Sequence, residues 1–200
     1  MFHGFVRGLA RLIFALFSHT KVYGKENILH CGNVIYVCNH QSVVDAFISF
    51  YVLPSETYFM SKKEVFNNKF YAFFLKRLQM FPINRETVDL KAIKYACDIL
   101  EEGNALCIFP QGTRHAEPWV RLEDMHAGIG MIALRQKSRV VPMMFKEKPA
   151  FFKKNELVIG KEIDLSSFEG KRPNSEEMKR FVQLVTQKMN ELLENGSCGF

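Results

Sequence analysis

The chain has 200 residues, 48% of them hydrophobic, and a chain of this size supports one compact domain around a single core. Its 27 basic and 21 acidic side chains give a net charge of +6, which favours an anionic partner such as a lipid surface or a nucleic acid. The five cysteines are odd in number and lack C-x-x-C spacing, which excludes a disulfide framework and a zinc ribbon.

The first element along the chain is predicted to be an amphipathic helix over residues 2–17. Helical spacing places His3, Arg7 and Arg11 on one narrow stripe, and apolar side chains cover most of the remaining surface. This pattern is typical of a helix lying in a membrane interface, with its arginines against anionic headgroups. The segment lacks an 18-residue apolar run and a small-x-small cleavage site, so we expect residues 1–20 to hold a cytosolic protein on the membrane surface.

Nineteen phenylalanines favour a lipid surface over a nucleic acid, because many of them lie next to basic residues. They are dense in residues 2–17 and again in residues 66–81, where Lys69, Lys76 and Arg77 are interspersed with aromatic side chains. The structural alternatives are a solvated basic face and, for the first helix, packing on the protein's own core. A non-enzymatic module that binds lipid or nucleic acid is the functional alternative.

Short apolar runs then alternate with helical periods, which predicts a single α/β domain with a mostly parallel central sheet of about seven strands flanked by helices. The predicted strands cover residues 21–23, 33–38, 57–60, 80–83, 105–109, 139–145 and 156–159. The predicted helices cover residues 43–52, 68–78, 88–102 and 127–136. A last helix begins after an Asn174 cap with Glu177 three residues on, and ends near Asn195 and Gly196.

The second predicted strand is followed by the segment N-H-Q-S-V-V-D, residues 39–45. If His40 lies in a turn and Asp45 in the first helical turn, the carboxylate can bond one imidazole nitrogen and leave the other free to accept a proton. A helix-capping aspartate beside an exposed histidine explains the same spacing. A serine hydrolase with Ser42 as nucleophile is another alternative, although no G-x-S-x-G elbow is present.

Two arginines, Arg85 and Arg114, follow later predicted strands and would emerge at the edge of the sheet where His40 lies. The donors of arginine match phosphate oxygens bidentately, and Gly112 allows the backbone N–H groups to approach an anion closely. These residues predict a phosphate clamp, with Lys62 as a further candidate. The alternative is that each arginine pairs with a carboxylate close to it in sequence, Glu86 or Glu117.

Four segments in this order resemble the motifs of the 1-acyl-glycerol-3-phosphate acyltransferase family, the lysophosphatidate acyltransferases. They are N-H-x4-D from residue 39, Phe-Pro-Ile-x-Arg ending at residue 85, F-P-Q-G-T-R over residues 109–114, and V-P ending at residue 142. The resemblance covers roughly the middle half of the chain and implies an acyltransferase domain over residues 21–200. It implies that His40 is the general base and Asp45 its orienter. The residues expected to bind substrates are Asn39, Arg85, Gln111, Gly112, Thr113, Arg114, Pro142 and Lys62.

The chemistry that the resemblance implies is transfer of a fatty acyl group to the free hydroxyl of a lysophosphatidate-type acceptor, in phospholipid biosynthesis. The donor would be the thioester of acyl-CoA or acyl carrier protein, attacked directly without an acyl-enzyme, a metal or another cofactor. Another lysolipid is the alternative acceptor. The enzyme would lie peripherally on the cytoplasmic face of a membrane, without a nucleic-acid partner.

Two positions depart from the family pattern, which usually has glutamate before Gly-Thr-Arg and often an acidic residue before the second-motif arginine. Here those positions hold Gln111 and Asn84. Glutamine keeps the acceptor oxygen and loses the charge, so a role that needs only a hydrogen bond survives. The loss of two negative charges near the clamp favours a doubly charged phosphate ester.

Overall fold

The computed structural model describes residues 2–30, 32–168 and 174–195, with side chains described from residue 8 onward. The helices are α1 Phe2–Phe17, α2 Val43–Val52, α3 Lys69–Arg77, α4 Leu90–Glu101, α5 Gly128–Gln136 and α6 Ser175–Asn195. The strands are β1 Thr20–Tyr23, β2 Val34–Cys38, β3 Thr57–Lys62, β4 Met80–Ile83, β5 Ala105–Ile108, β6 Arg139–Phe145 and β7 Asn155–Ile159. The predicted elements are confirmed, with boundaries that shift by one or two residues.

The seven strands form one sheet in the order β1-β7-β6-β2-β5-β3-β4. All neighbours are parallel except β6 and β7, which are antiparallel. The central strand β2 reads Val-Ile-Tyr-Val-Cys and is completely buried, as expected for a strand covered on both faces. Because β2 to β6 run in the same direction, their carboxyl ends meet at one edge of the sheet.

Two layers of helices cover the sheet. Ile35 and Val37 of β2 belong to the core that includes α4, α5 and α6, whereas Tyr36 and Cys38 belong to the core that includes α1, α2 and α3. This division follows the alternation of side chains along a strand. The single α/β domain predicted from the sequence is confirmed.

The last helix and the cysteines agree with the sequence where the structure describes them. The Asn174 side-chain oxygen accepts from the Glu177 N–H at 2.8 Å, which confirms the predicted cap, whereas Gly196 lies outside the described residues. Cys38, Cys97 and Cys107 are buried free thiols. Burial raises the pKa of Cys38 and of Cys107, so both remain protonated. The two remaining cysteines, Cys31 and Cys198, lie outside the described residues.

The amino-terminal helix α1 packs one face on α2 and leaves another face uncovered. The Phe14 ring stacks on Phe47 of α2 with 4.4 Å between centroids. The exposed apolar side chains of α1 are Leu9, Leu12, Ile13, Leu16 and Phe17. Within the described residues, no helix is both long enough and apolar enough to cross a membrane. Packing on the core, which the sequence left as the alternative, therefore accounts for only part of this helix.

Arg11 is committed to the protein itself. Its half-buried guanidinium donates to the Tyr51 and Leu53 carbonyl oxygens, at 2.9 and 2.5 Å, where α2 ends. Burial lowers the pKa of Arg11. The prediction that Arg11 faces lipid headgroups is therefore wrong, because its donors serve the last carbonyls of a neighbouring helix. The side chains of His3 and Arg7, the other members of the predicted stripe, lie outside the description.

Candidate active site

The turn between β2 and α2 holds His40 against a buried carboxylate. His40 Nδ1 lies 2.9 Å from Asp45 Oδ2, and the same oxygen accepts from the backbone N–H groups of Gln41 at 2.6 Å and Ser42 at 2.8 Å. Asp45 is 0% exposed and the His40 side chain 12% exposed. Since a carboxylate only accepts hydrogen bonds, the proton belongs on Nδ1, and His40 Nε2 keeps its lone pair for a substrate proton.

Asp45 serves both roles that the sequence left open, because it also closes a capping box. Ser42 is the N-cap of α2, and its hydroxyl oxygen accepts from the Val44 N–H at 3.2 Å. The helix cap therefore occupies Ser42, which argues against the alternative that this hydroxyl is the nucleophile of a hydrolase. The cap also fixes the carboxylate that orients the imidazole.

Gln111 holds the backbone of the histidine in place. Its side-chain oxygen accepts from the His40 N–H at 2.9 Å, and the side chain is buried. The His115 N–H donates to the His40 carbonyl oxygen at 2.8 Å. The loop that follows β5 therefore lies along the His40 turn. The contact of Gln111 needs only an acceptor oxygen, so an amide fills it without a charge.

Asn39, which the sequence proposed as a substrate ligand, belongs to the framework. Its amide nitrogen donates to the carbonyl oxygens of Phe145 at 3.0 Å and Pro118 at 3.1 Å. Its side-chain oxygen accepts from the Phe145 N–H at 2.8 Å. The prediction of a substrate contact is corrected, because the buried amide already uses both donors and its acceptor to join the ends of β2 and β6.

The two arginines meet at the same edge of the sheet. The Arg85 guanidinium donates to the Gly112 carbonyl oxygen. Burial lowers the pKa of Arg85, the Arg114 charge lowers it further, and Glu64 opposes the shift. Among the described carboxylates, none lies within ion-pairing distance of Arg85 or Arg114, so the alternative of pairs with Glu86 and Glu117 is not seen. Two neighbouring cations without a shared carboxylate favour an anion between them.

Gly112 is required where it stands. Its φ of +66° lies in the left-handed region, and an added Cβ would come within 2.5 Å of His126 Nε2. The His126 N–H donates to the Pro110 carbonyl oxygen at 2.9 Å. The glycine therefore allows the loop to turn tightly beneath the His126 ring.

A cavity of about 640 Å³ opens beside this loop. Arg85, Gly112 and His126 line it together with apolar residues that include Met60, Ile108 and Ile132. Phe109 connects the cavity to the base, because it lines the cavity and its ring lies 4.6 Å from the His40 ring between centroids. The volume is that of a ligand site, with mostly apolar walls and a few polar groups.

Comparison with known proteins assigns this arrangement to a family. The sequence profile of the family described as Acyltransferase matches residues 19–146, which include His40, Asp45, Arg85 and Arg114. The chain belongs to the acyltransferase family. It is therefore an enzyme of that class, and the resemblance inferred from the four motifs is confirmed.

Individual acyltransferases match over most of the chain. A 1-acyl-sn-glycerol-3-phosphate acyltransferase of Bacillus subtilis is 30% identical over 194 residues, or 94% of this chain and 95% of that protein. One of Streptococcus pneumoniae is 30% identical over 149 residues, or 72% of this chain and 54% of that protein. The crystal structure of the Thermotoga maritima 1-acyl-sn-glycerophosphate (LPA) acyltransferase, PlsC, matches with a TM-score of 0.69 at 23% identity, covering 95% of this chain and 79% of that one. This last likeness shows a shared fold.

Two remaining candidates, Pro142 and Lys62, are not among the residues that line the cavity. Pro142 is buried within β6, in register with Val37, and lies next to Gly160. Because Pro142 does not line the cavity, its part in substrate binding stays a prediction. Lys62 ends β3 beside Ile83, about half exposed and 3.8 Å from Glu64, and its part in anion binding stays a prediction.

Sequence reasoning missed His115, Asp124 and His126, which all lie around the third acyltransferase motif. His115 directly follows Arg114, so extending the motif by one residue would have found it. Asp124 and His126 come ten or more residues later, on the far side of an irregular loop, where no periodicity marks them. Only the folded chain shows that they reach the motif.

Proposed function

We propose that this enzyme transfers an acyl group from an acyl thioester to the free hydroxyl of a lysophosphatidate-type acceptor. The observation that carries the proposal is the buried His40–Asp45 pair, which the arginine-bearing loop contacts on both sides of the His40 backbone. The names of the Bacillus subtilis and Streptococcus pneumoniae relatives support the acceptor. The reaction belongs to phospholipid biosynthesis and requires no metal or organic cofactor.

In the proposed step, His40 Nε2 takes the proton of the acceptor hydroxyl while its oxygen attacks the thioester carbonyl carbon. Asp45 stabilises the imidazolium that results. The tetrahedral intermediate collapses as the carbon–sulfur bond breaks, and the departing sulfur receives the proton from His40. An ester and a free thiol are the products, and no acyl-enzyme forms.

The acceptor phosphate is proposed to lie between Arg85 and Arg114. Arg85 is held by the Gly112 carbonyl oxygen, whereas Arg114 is exposed and extends toward solvent. A phosphate between them would offset the repulsion of two neighbouring guanidinium groups and accept hydrogen bonds from both. Its dianionic charge suits a site in which neutral residues stand at positions 84 and 111.

The apolar cavity beside Phe109 is proposed to accept a hydrocarbon chain of one substrate. It begins next to Arg85, which binds the headgroup in the proposal, and continues between residues of β3, β5 and α5. Phe109 contacts both the base and this cavity, so a chain in the cavity would leave the carbonyl carbon at its end close to His40. Where that chain is the acyl group of the donor, the carbonyl belongs to a thioester, which either acyl-CoA or acyl carrier protein can present.

A membrane surface is proposed to bind the uncovered faces of α1 and α3. The exposed apolar residues of α3 are Phe70, Tyr71, Phe73 and Phe74, and α3 contacts α1. Adjacent apolar faces of this kind are typical of interaction with a protein or membrane. Lipid is the proposed partner because the substrates themselves reside there and because Arg77, stacked on Phe73, adds positive charge.

An assay of purified protein with acyl-CoA or acyl carrier protein thioester and a panel of lysolipids, followed by thiol release, tests the reaction. We expect lysophosphatidate to be the preferred acceptor and His40→Ala to lose about 10²- to 10⁴-fold in turnover. His30→Ala, at an exposed histidine, is the matched control and should retain activity. Near-normal turnover by His40→Ala would contradict the mechanism, and preference for a different lysolipid would redirect the acceptor assignment.

Binding to vesicles of phosphatidylcholine and phosphatidylglycerol tests the membrane surface. Leu16→Glu and Phe70→Glu should each weaken partitioning by about tenfold or more, because each removes a large apolar side chain from the lipid contact. Tyr95→Glu is the matched control, since Tyr95 is similarly exposed but lies on α4, in the opposite helical layer. Equal binding by all three variants would contradict the assignment.

A further inference from the structure

The loop that bears Arg114 contains a second set of contacts that the proposed mechanism does not use. Thr113 Oγ1 lies 3.2 Å from His115 Nε2, so the two side chains form a hydrogen bond that spans Arg114. On its other side the His115 ring places Nδ1 at 3.6 Å from Asp124 Oδ2. Asp124 ends the short 3-10 turn Leu122–Asp124. We call these three residues, Thr113, His115 and Asp124, the clasp.

The clasp ties together parts of the site that are separate in sequence. His115 forms a hydrogen bond with Thr113 in its own loop and lies 3.6 Å from Asp124 of the 3-10 turn. Its backbone N–H donates to the carbonyl oxygen of the general base, His40. One residue thus fixes the position of the arginine-bearing backbone relative to His40.

Arg114 needs such support more than Arg85 does. The Arg85 guanidinium is half-buried and bonded to the Gly112 carbonyl oxygen, whereas the Arg114 side chain is exposed, and no described carboxylate pairs with it. A free arginine side chain loses rotamer entropy when it binds, which weakens its contribution to affinity. Holding the backbone on both sides of Arg114 leaves only the side chain itself to be ordered.

We propose that His115, supported by Asp124, is a positioning residue for the acceptor phosphate that acts by holding Arg114. The inference rests on the proposed function for the identity of the acceptor. It also gives Thr113 a different task from the one expected from the motif, because its hydroxyl serves the clasp. Acceptor binding should therefore depend on the clasp, whereas the proton transfer at His40 should depend on it little.

Steady-state kinetics of His115→Ala test the proposal. We expect the KM for lysophosphatidate to rise about three- to tenfold, the effect of one or two lost hydrogen bonds, with kcat changed less than about twofold. His115→Gln should restore most of the affinity, because its amide can reach the Thr113 hydroxyl from a similar position. His30→Ala serves as the exposed-histidine control, and circular dichroism confirms that each variant is folded.

A double-mutant cycle separates the clasp from independent contributions. Thr113→Val and His115→Ala remove the two ends of one hydrogen bond, so the double variant should be no more impaired than the worse single variant. Asp124→Asn should raise the acceptor KM in the same direction and provides the test if His115→Ala does not fold. Multiplicative effects in the cycle, or an unchanged KM in both His115→Ala and Asp124→Asn, would overturn the proposal.

Direct calorimetric binding of lysophosphatidate in detergent distinguishes this proposal from the proposed function. If the wild-type protein turns over the acceptor while its affinity is the same in His115→Ala, the clasp is refuted and the function stands. If the wild-type protein shows no turnover but binds lysophosphatidate more tightly than His115→Ala does, the function fails and the clasp stands.

Discussion

The two histidine–carboxylate pairs beside the crevice use the same residue types in different surroundings. Asp45 is fully buried, bonds His40 at 2.9 Å and accepts from two backbone N–H groups. Asp124 and His115 are each about a quarter exposed, and their closest atoms lie 3.6 Å apart. Water screens an exposed pair and leaves it free to rearrange, whereas burial and backbone donors fix the geometry of the other. The surroundings, more than the residue types, decide which histidine can serve as a base.

The largest expected difference between the pairs is in turnover. Asp45→Asn should lower kcat by about 10²- to 10⁴-fold, since the amide can still cap the helix but cannot stabilise the imidazolium. Asp124→Asn should lower kcat less than about threefold, as expected for a pair that does not touch the reacting atoms. Single-turnover thiol release measures both. Similar losses in the two variants would remove the distinction.

Arg114 tests whether the exposed pair supports acceptor binding. Arg114→Ala should lower kcat/KM for the acceptor by about 10- to 100-fold, because charged hydrogen bonds to a phosphate are lost. Arg121→Ala is the control, since Arg121 is also an exposed arginine in the long loop after β5 and lies 4.0 Å from Glu123. A comparable loss in Arg121→Ala would show that only overall charge matters.

Gln111 tests how far the buried pair depends on the absence of a charge. Gln111→Glu should keep the hydrogen bond from the His40 N–H and remain folded. A carboxylate near the ring favours its protonated form, so the acidic limb of the pH–rate profile should move to higher pH by less than about one unit. Gln111→Met, which removes the acceptor, should reduce turnover without such a movement. A profile unchanged in Gln111→Glu would place the charge too far from His40 to matter.

Asp89 caps α4 as Asp45 helps to cap α2, so substitution of Asp89 tests the capping role by itself. It accepts from the backbone N–H groups of Asn84 and Ala92, both at 3.0 Å, at the start of α4. Asp89→Ala should lower the free energy of unfolding by about 1 kcal/mol at pH 7. The same bonds lower the pKa of Asp89, the bond from Asn84 first.

The sign of the pH dependence follows from that direction. A carboxylate with a depressed folded-state pKa stabilises the fold above its unfolded pKa, about 4 for aspartate, and loses this contribution as the pH falls through the folded value. The difference between wild type and Asp89→Ala in urea unfolding should therefore be complete at pH 7 and pH 5 and shrink below about pH 4. A difference that persists unchanged at pH 2.5 would mean that packing, rather than the cap, is lost.

Much of the site could be predicted because parallel strands bring their carboxyl ends to one edge. The turn with His40, the segment with Arg85 and the loop with Arg114 each follow a strand with a recognisable apolar run, so their proximity follows from fold class alone. The Asp45 contact also follows from local geometry, because residue N3 of a helix can reach the turn before it.

The remaining contacts depend on tertiary packing without a repeating pattern. Asn39 reaches Phe145 across 106 positions, and Arg11 reaches the end of α2 across about 40, so neither partner could be inferred from spacing. Pro142 lies inside the strand predicted over residues 139–145, so its place in β6 followed from the sequence, whereas the side chains that it would face did not. It lies one residue before the ladder between β6 and β7, where its missing N–H breaks no bond of that ladder.

The hydrogen bonds of Arg11 bear on how the amino-terminal helix α1 could bind a membrane. The helix whose first turn carries Asp45 has its final carbonyls capped by a guanidinium from α1. Separation of α1 from α2 would leave those carbonyl oxygens without the Arg11 donors. If the enzyme binds a bilayer as proposed, α1 should therefore enter the interface while it is still packed on α2.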